Sequence, residues 1–299
     1  MFEFKAEQKT LEIGKVKVGG FPGENPTVLV GTIFYAKHKI VYDERRGEFD
    51  REKAGRLIEN QERYSDLTGN PCMIDLVAST AEAMKKYMDF VAEKTDSPIL
   101  IDSPSAEVRT AGLKYASEIG LTERVIYNSI IPEIGEDEIQ TLKSLGVKNA
   151  VILTYTPRDF TSTGRVKAAE SLIEKAKQIG IENILIDTCV LDVLSLGAAC
   201  GALFRLKDRF GLPVGCGAHN AVDTWRGLKT KFGEKARVPA LVSANVAPIV
   251  LGADFILYGP IEHADYVFPA VAMLDAAYAF LLREKGVKVG RDHPIYRIA

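Results

Sequence analysis

Eight short apolar runs, each followed by a polar turn and an amphipathic stretch, constrain this chain more than any other feature. They are TVLVGTIF (27–34), CMIDLVA (72–78), PILIDS (98–103), RVIYNS (124–129), NAVILTY (149–155), NILIDT (183–188), LPVGCG (212–217) and DFILYG (254–259). Runs rich in Ile, Val and Leu with little internal alternation suit parallel strands covered by helices. Helical patterns separate them, among others DREKAGRLIENQERYSDL (50–67), AEAMKKYMDFVAEK (81–94), GRVKAAESLIEKAKQIG (164–180) and LGAACGALFRLKDRF (196–210), and several end at glycine, as helix C-termini prefer. Eight such units in about 250 residues is the size of a closed (β/α)8 TIM barrel. An open doubly wound sheet is the competing architecture. It would want G-x-G-x-x-G directly after the first strand, whereas KVGGFPGENP precedes that strand and opens no helix.

The expected layout is a single domain: an N-terminal β-hairpin and cap (1–26, the hairpin around Leu11–Val18) plugging the barrel bottom, the barrel itself (27–285) and a polar C-terminal tail (286–299). That tail is expected to pack on the barrel or on a neighbouring subunit. A net charge of -2 without basic runs argues against nucleic acid or an anionic membrane surface as a partner. The first twenty residues lack a signal-peptide core, and no apolar run reaches a spanning length of roughly 18 residues. A cytoplasmic protein without membrane insertion is therefore expected. Cys72, Cys189, Cys200 and Cys216 are scattered with no C-x-x-C pair, so buried free thiols are expected.

In a barrel of this kind the site is built where the strands end. PILIDS places Asp102 there, NILIDT places Asp187, RVIYNS places Asn128, and Asn220 follows the seventh run in GLPVGCGAHNAVDTW; Asp75 lies near the end of the second. Each has a bland alternative as the cap of the following helix. Together, carboxylates that accept paired N–H donors and carboxamides that both donate and accept suit a neutral heterocycle with a dense hydrogen-bonding edge. They suit phosphate poorly, since the set lacks Lys, Arg and a glycine-rich helix start. Lys37, His38 and Lys39 after the first run are further candidates.

Other chemistries find less support. His38, His219 and His263 form no H-E-x-x-H spacing with Glu, so no bound metal is expected. G-x-S-x-G is absent. Cys216 beside His219 would be a nucleophile only if its thiol were accessible, and buried cysteines are commoner than reactive ones.

These strand ends, with GGFPGENPTVLVGTIFYAKHKIVYDE (19–44), SDLTGNP (65–71), DSPILIDS (96–103), RVIYNSI (124–130), PVGCGAHNAVDTW (213–225), ADFILYGPIEHADYVFPAVAM (253–273) and DHP (292–294), closely resemble the MtrH family of tetrahydromethanopterin S-methyltransferase subunits over essentially the whole length. The resemblance implies a TIM barrel of the pterin-binding methyltransferase type, similar to dihydropteroate synthase and to folate-dependent corrinoid methyltransferases. It further implies that Asp102, Asn128, Asp187 and Asn220 hold the pterin ring, with Asp75 beside them, and that Asn220 and Asp102 are the catalytic residues. Asp102 and Asp187 would anchor its guanidine-like edge, Asn128 would set its register, and Asn220 would donate to N5 as the carbon–nitrogen bond breaks.

The implied reaction moves a methyl group between N5 of the pterin and the cobalt of a corrinoid. The tertiary amine is a poor leaving group, so its departure needs a strong nucleophile and a donor at N5. No D-x-H-x-x-G corrinoid element is present, so cobalamin or another corrinoid is expected on a partner protein docking on the loops after strands 1, 7 and 8. YTPRDFTSTGRVKAAE (155–170) looks shorter than in the membrane-complex subunits, pointing to a soluble system such as methoxy-compound or methylamine use. Tetrahydrofolate is the alternative methyl carrier. Only four glutamines in 299 residues lean toward a thermophilic source and thereby toward tetrahydromethanopterin. A non-catalytic pterin-binding scaffold and a metal-dependent hydrolase are readings of other classes. Homodimerisation is implied by the family and compatible with the apolar FPAVAMLDAAYAFLL (268–282).

Overall fold

The computed structural model describes residues 2–299. An antiparallel hairpin, β1 (Thr10–Ile13) and β2 (Val16–Gly19), precedes the first barrel strand, β3 (Val28–Ile33). A small second hairpin, β4 (Val41–Asp43) and β5 (Glu48–Phe49), leads into α1 (Arg51–Thr68). There follow β6 (Cys72–Val77), α2 (Ala81–Lys94), β7 (Ile99–Asp102), α3 (Ala106–Glu118), β8 (Val125–Ile130), α4 (Glu136–Ser144), β9 (Asn149–Leu153), α5 (Ser162–Ile179), β10 (Asn183–Asp187) and α6 (Val193–Phe210). The last units are β11 (Val214–Cys216), the short helices α7 (Asn220–Asp223) and α8 (Leu228–Phe232), α9 (Arg237–Val250), β12 (Phe255–Pro260), α10 (Ala264–Glu284) and α11 (Pro294–Arg297).

Strands β3, β6, β7, β8, β9, β10, β11 and β12 close into one parallel barrel, with β12 pairing back to β3. All eight runs form strands, and a helix follows each one as expected. The helix starts are set locally: Asp50 accepts from the Lys53 amide ahead of α1, Thr80 from the Ala83 amide ahead of α2, and left-handed Gly69 and Gly180 close α1 and α5.

Side-chain alternation along the strands separates two cores. Ile74, Ile101, Tyr127 and Ile186 point outward into the layer under the helices. Val28, Val30, Met73, Leu100, Ile126, Val151, Leu185, Phe255 and Leu257 point inward and pack with Ile13, Val16 and Val18 of the hairpin. The hairpin thus plugs the barrel at its N-terminal end. Lys207 secures this end: buried, it donates to both oxygens of Asp254 (2.7 and 2.8 Å) and to the Gly20 carbonyl (3.2 Å).

The C-terminal tail packs on its own barrel, where the Asp292 carbonyl approaches so closely that a Cβ on Gly69 would lie 2.1 Å from it. One expectation needs correction. The helical segment Ile261–Glu284 has an 18-residue window of mean hydropathy 1.4, long and apolar enough to cross a membrane by composition, although no spanning run stood out in the sequence. Half of that window is buried within the fold. Asp275 on the same helix is buried and accepts from the Thr27 amide (2.8 Å), the Thr27 hydroxyl (2.9 Å) and the Asn70 side chain (2.6 Å). The apolarity therefore serves packing against α1, α9 and the barrel wall.

Candidate functional site

Inward-facing strand positions recur every second residue, so the layer above the plugged core follows from the pattern below it. Two residues beyond Val30, Met73, Leu100, Ile126 and Leu185 stand Thr32, Asp75, Asp102, Asn128 and Asp187. Register levels them in pairs, Thr32 with Asp75 across β3–β6 and Asp102 with Asn128 across β7–β8, while between β6 and β7 the ladder steps up, with Asp75 opposite Leu100. Four of these five are residues singled out in the sequence. Thr32 was missed, yet its place two residues beyond Val30 in TVLVGTIF carries the same signal.

Asp75 is the hub, accepting from the Thr32 hydroxyl (2.9 Å) at one oxygen and the Asn128 amide (3.3 Å) at the other. Asp187 accepts from the Cys189 amide at 2.7 Å. The β8–β9 ladder slips register between Asn128 and Ile130, an irregularity of the kind that re-aims a side chain at a barrel rim. None of the strand-end residues is a helix cap. Helices α3, α4 and α6 are preceded by Ser105, Gly135 and Asp192 in that position.

Asn220 differs from its bland reading too. His219 occupies the capping position of α7, and Asn220 is the helix's first residue, its side-chain amide donating to the Val190 carbonyl at 3.1 Å. This bond ties the loop after β11 to the loop after β10 and leaves the second N–H of the amide free of that contact. His219 is held beneath by a 3.0 Å contact of Nδ1 with the Leu257 carbonyl. Gly259 makes room for its ring: at φ +90 it is left-handed, and a Cβ there would fall 2.7 Å from the imidazole Cγ.

The electrostatics follow from crowding three carboxylates into a dry mouth. Burial, reinforced by Asp102 and Asp187, raises Asp75 well above the ordinary carboxylate range. Burial pushes Asp102 up to about 6, opposed by Arg109. It pushes Asp187 up to about 6 as well, opposed by the Cys189 amide and Arg165. Such groups are more easily protonated folded than unfolded, so their contribution to stability is full below about pH 3.8 and is lost as pH rises through about 6. Asp187→Asn should thus raise the unliganded protein's stability at pH 7.5 by about 1–3 kcal/mol, a gain that disappears at pH 4. Urea titrations of both proteins at the two pH values check this, and an equal difference at both would contradict it.

Two buried arginines, not flagged in the sequence, stand behind the mouth. Arg109 of α3 donates to the Ser103 carbonyl, the Tyr127 hydroxyl (3.0 Å) and Glu138 (2.6 Å), bracing the segment after Asp102. Arg165 of α5 grips the segment after Asp187 through the Thr188 and Cys189 carbonyls.

Other candidates lie elsewhere. His38 is buried, its Nδ1 accepting from the Phe34 amide (3.1 Å) and its Nε2 bonded to Glu262 (2.9 Å), while Lys37 and Lys39 are exposed. His38 and Tyr35, whose hydroxyl also reaches Glu262 (3.2 Å), clasp the loops after β3 and β12 together. All four cysteines are free and buried, and burial drives the Cys216 thiol far above its usual range, which removes the thiolate a nucleophile needs. Among the described residues no group of three or more His, Cys, Asp or Glu is placed to hold a metal.

Comparison with known proteins agrees with this fold. Two solved structures share the fold. Dihydropteroate synthase from Yersinia pestis with a pterine-sulfa conjugate has a TM-score of 0.64 at 14% identity, over 91% of this chain and all of that one. The Xanthomonas albilineans enzyme with 7,8-dihydropteroate has a TM-score of 0.59 at 15% identity, over 90% and 98%. At the level of sequence, the tetrahydromethanopterin S-methyltransferase MtrH subunit of Methanothermobacter marburgensis is 41% identical over 309 aligned positions, covering all of both chains. Its counterpart in Methanocaldococcus jannaschii is 41% identical over 318 positions, again covering both completely. The family described as tetrahydromethanopterin S-methyltransferase MtrH subunit matches residues 6–290, and the chain belongs to this family of methyltransferase subunits.

Proposed function

We propose that the chain transfers a methyl group between N5 of tetrahydromethanopterin and a corrinoid carried by a separate protein docked over the barrel mouth. The observation that carries this reading is the inward-facing set of Thr32, Asp75, Asp102, Asn128 and Asp187 at the strand ends, with Asn220 anchored on the loop after β10 and the hairpin closing the floor below. The donor set fits a reduced pterin. Asp102 and Asp187 offer acceptors to the amine and ring N–H groups of the pyrimidine edge, and Asn128, anchored on Asp75, fixes the ring's rotation. Asn220, anchored on Val190, turns its remaining N–H toward N5, where it supports the nitrogen lone pair as the methyl departs. Cobalt(I) of the corrinoid supplies the nucleophile. Holding the ring in line with it removes much of the entropic barrier.

The clasped loops after β3 and β12, with the segment after β11, form the rim on which the corrinoid protein docks. The connection Thr154–Thr161 after β9 is short, in keeping with a soluble, cytoplasmic one-carbon system such as methoxy-compound or methylamine use. Met273, Phe280 and Leu281 on the outer face of α10 are exposed and support a homodimer contact.

An anaerobic absorbance assay with cob(I)alamin tests the reading, offering methyl-tetrahydromethanopterin and methyl-tetrahydrofolate separately. Loss of the cobalt(I) band with the first alone is the expected result. Turnover with the folate alone would reassign the carrier, and pterin binding without turnover, even with a corrinoid protein present, would make the chain a non-catalytic holder.

A further inference from the structure

Three buried cations stand out in this fold, and two are neutralised in the ordinary way, Arg109 by Glu138 at 2.6 Å and Lys207 by Asp254 at 2.7 Å. The third, Arg165, is only 2% exposed and has no carboxylate at ion-pair distance among the described residues. Its guanidinium is spent on carbonyls: Nε on Thr188 (2.8 Å), one terminal nitrogen on Cys189 (3.0 Å), and the other on Phe160 and more distantly Thr161 (3.5 Å). A desolvated charge without a counter-ion is costly.

What it faces is the segment that follows Asp187. Cys189 sits at φ +58, a conformation unfavourable for any side-chain-bearing residue. The peptide on each side of it is held, the amide by Asp187 Oδ1 at 2.7 Å and the carbonyl by Arg165 at 3.0 Å. Arg165 and Asp187 are thus linked mechanically through one strained residue. They are linked electrostatically as well. Asp102 on β7 raises Asp187, Arg165 on α5 lowers it, and Asp75 on β6 shares the mouth with both carboxylates. The neighbouring thiols of Cys189 and Cys216 are pushed upward by burial and stay neutral.

We propose that Arg165 is a positioning residue for the pterin site, a buried cation left without its own counter-ion so that it keeps Asp187 an ionised acceptor and fixes its direction through Cys189. The inference rests on the pterin reading for its consequence, though its electrostatic part can be measured without any ligand. An ionised carboxylate accepts a ring N–H more strongly than a protonated one, so the site gains from an Asp187 that stays ionised at neutral pH beside two other carboxylates.

The test compares wild type, R165Q and R165K. Titration of the Asp187 carboxyl is followed by carbon-13 NMR of aspartate-labelled protein, with D187N assigning the signal, and methyl-tetrahydromethanopterin binding is followed by calorimetry from pH 6 to 8.5. In R165Q the Asp187 titration should move up by as much as about one pH unit, with pterin binding weaker at pH 6 and nearly unchanged at pH 8.5. R165K, which keeps the charge but loses the planar fork, should titrate with the wild type. An unmoved titration in R165Q, a full-unit rise in R165K, or weakening by one factor at every pH would overturn the proposal. Should the wild type bind no pterin, the functional reading fails, while the NMR titration still decides the role of Arg165. If R165Q does not fold, R165K decides it alone, because Asp187 must titrate there as in the wild type.

Discussion

Asn220→Ala should lower the rate of methyl transfer by roughly 10²–10³, the range for removing one transition-state donor, with pterin affinity changed by no more than a few fold. The reason lies in the geometry of the amide. One N–H is committed to the Val190 carbonyl at 3.1 Å, which orients the group and gives up a donor that the ring could otherwise use in the ground state. In the proposed reaction the other becomes valuable when negative charge gathers at N5 as the carbon–nitrogen bond breaks, so its loss should fall on kcat more than on binding. Asn220→Asp should be at least as impaired, because an ionised carboxylate presents no donor. Single-turnover rates with saturating methyl-pterin, set beside calorimetric affinities, separate the cases. Equal loss in rate and binding would make Asn220 a plain anchor.

The second large effect concerns Asp187→Ala, which should weaken pterin binding by roughly 10²–10³, in line with leaving hydrogen-bond donors of a bound ligand unpaired in a dry site. Asp187 is 8% exposed and spends one oxygen on the Cys189 amide, so the second is available to the ring edge. The same variant removes a buried carboxylate that burial has raised to about 6 and should leave the fold intact. On the proposed role, stability and function should oppose each other at this position, as is general where a charged group is held out of water for binding. Calorimetry with tetrahydromethanopterin decides the point, and unchanged affinity would remove Asp187 from the site.

Much of this was legible in the chain because strand chemistry is local. Parallel strands buried on both faces read as continuous Ile, Val and Leu runs, and all eight were found with ends within a few residues of those observed. A polar residue at or near the end of such a run stands where a barrel builds its site, which is why Asp75, Asp102, Asn128 and Asp187 are legible in the sequence, and the two-residue period from Met73, Leu100, Ile126 and Leu185 explains why all four face inward. The full-length resemblance is what suggests the roles proposed for them.

Tertiary structure decided the rest, since each remaining feature depends on residues far apart along the chain. Asn220 could have capped its helix until the loop after β10 brought the Val190 carbonyl to it. His38 read as a mouth residue until Glu262, from the opposite end of the barrel sequence, claimed its ring. Arg109 and Arg165 look like ordinary surface positions on amphipathic helices, and the sequence carries no mark of their burial, because their partners are backbone carbonyls and a glutamate of other units. The sequence by itself determined which residues face inward, through a two-residue period that needs no partner to be read. Only closure of the barrel determined how strongly they interact, because burial and proximity, which raise the three carboxylates and set the two arginines behind them, are properties of the assembled mouth.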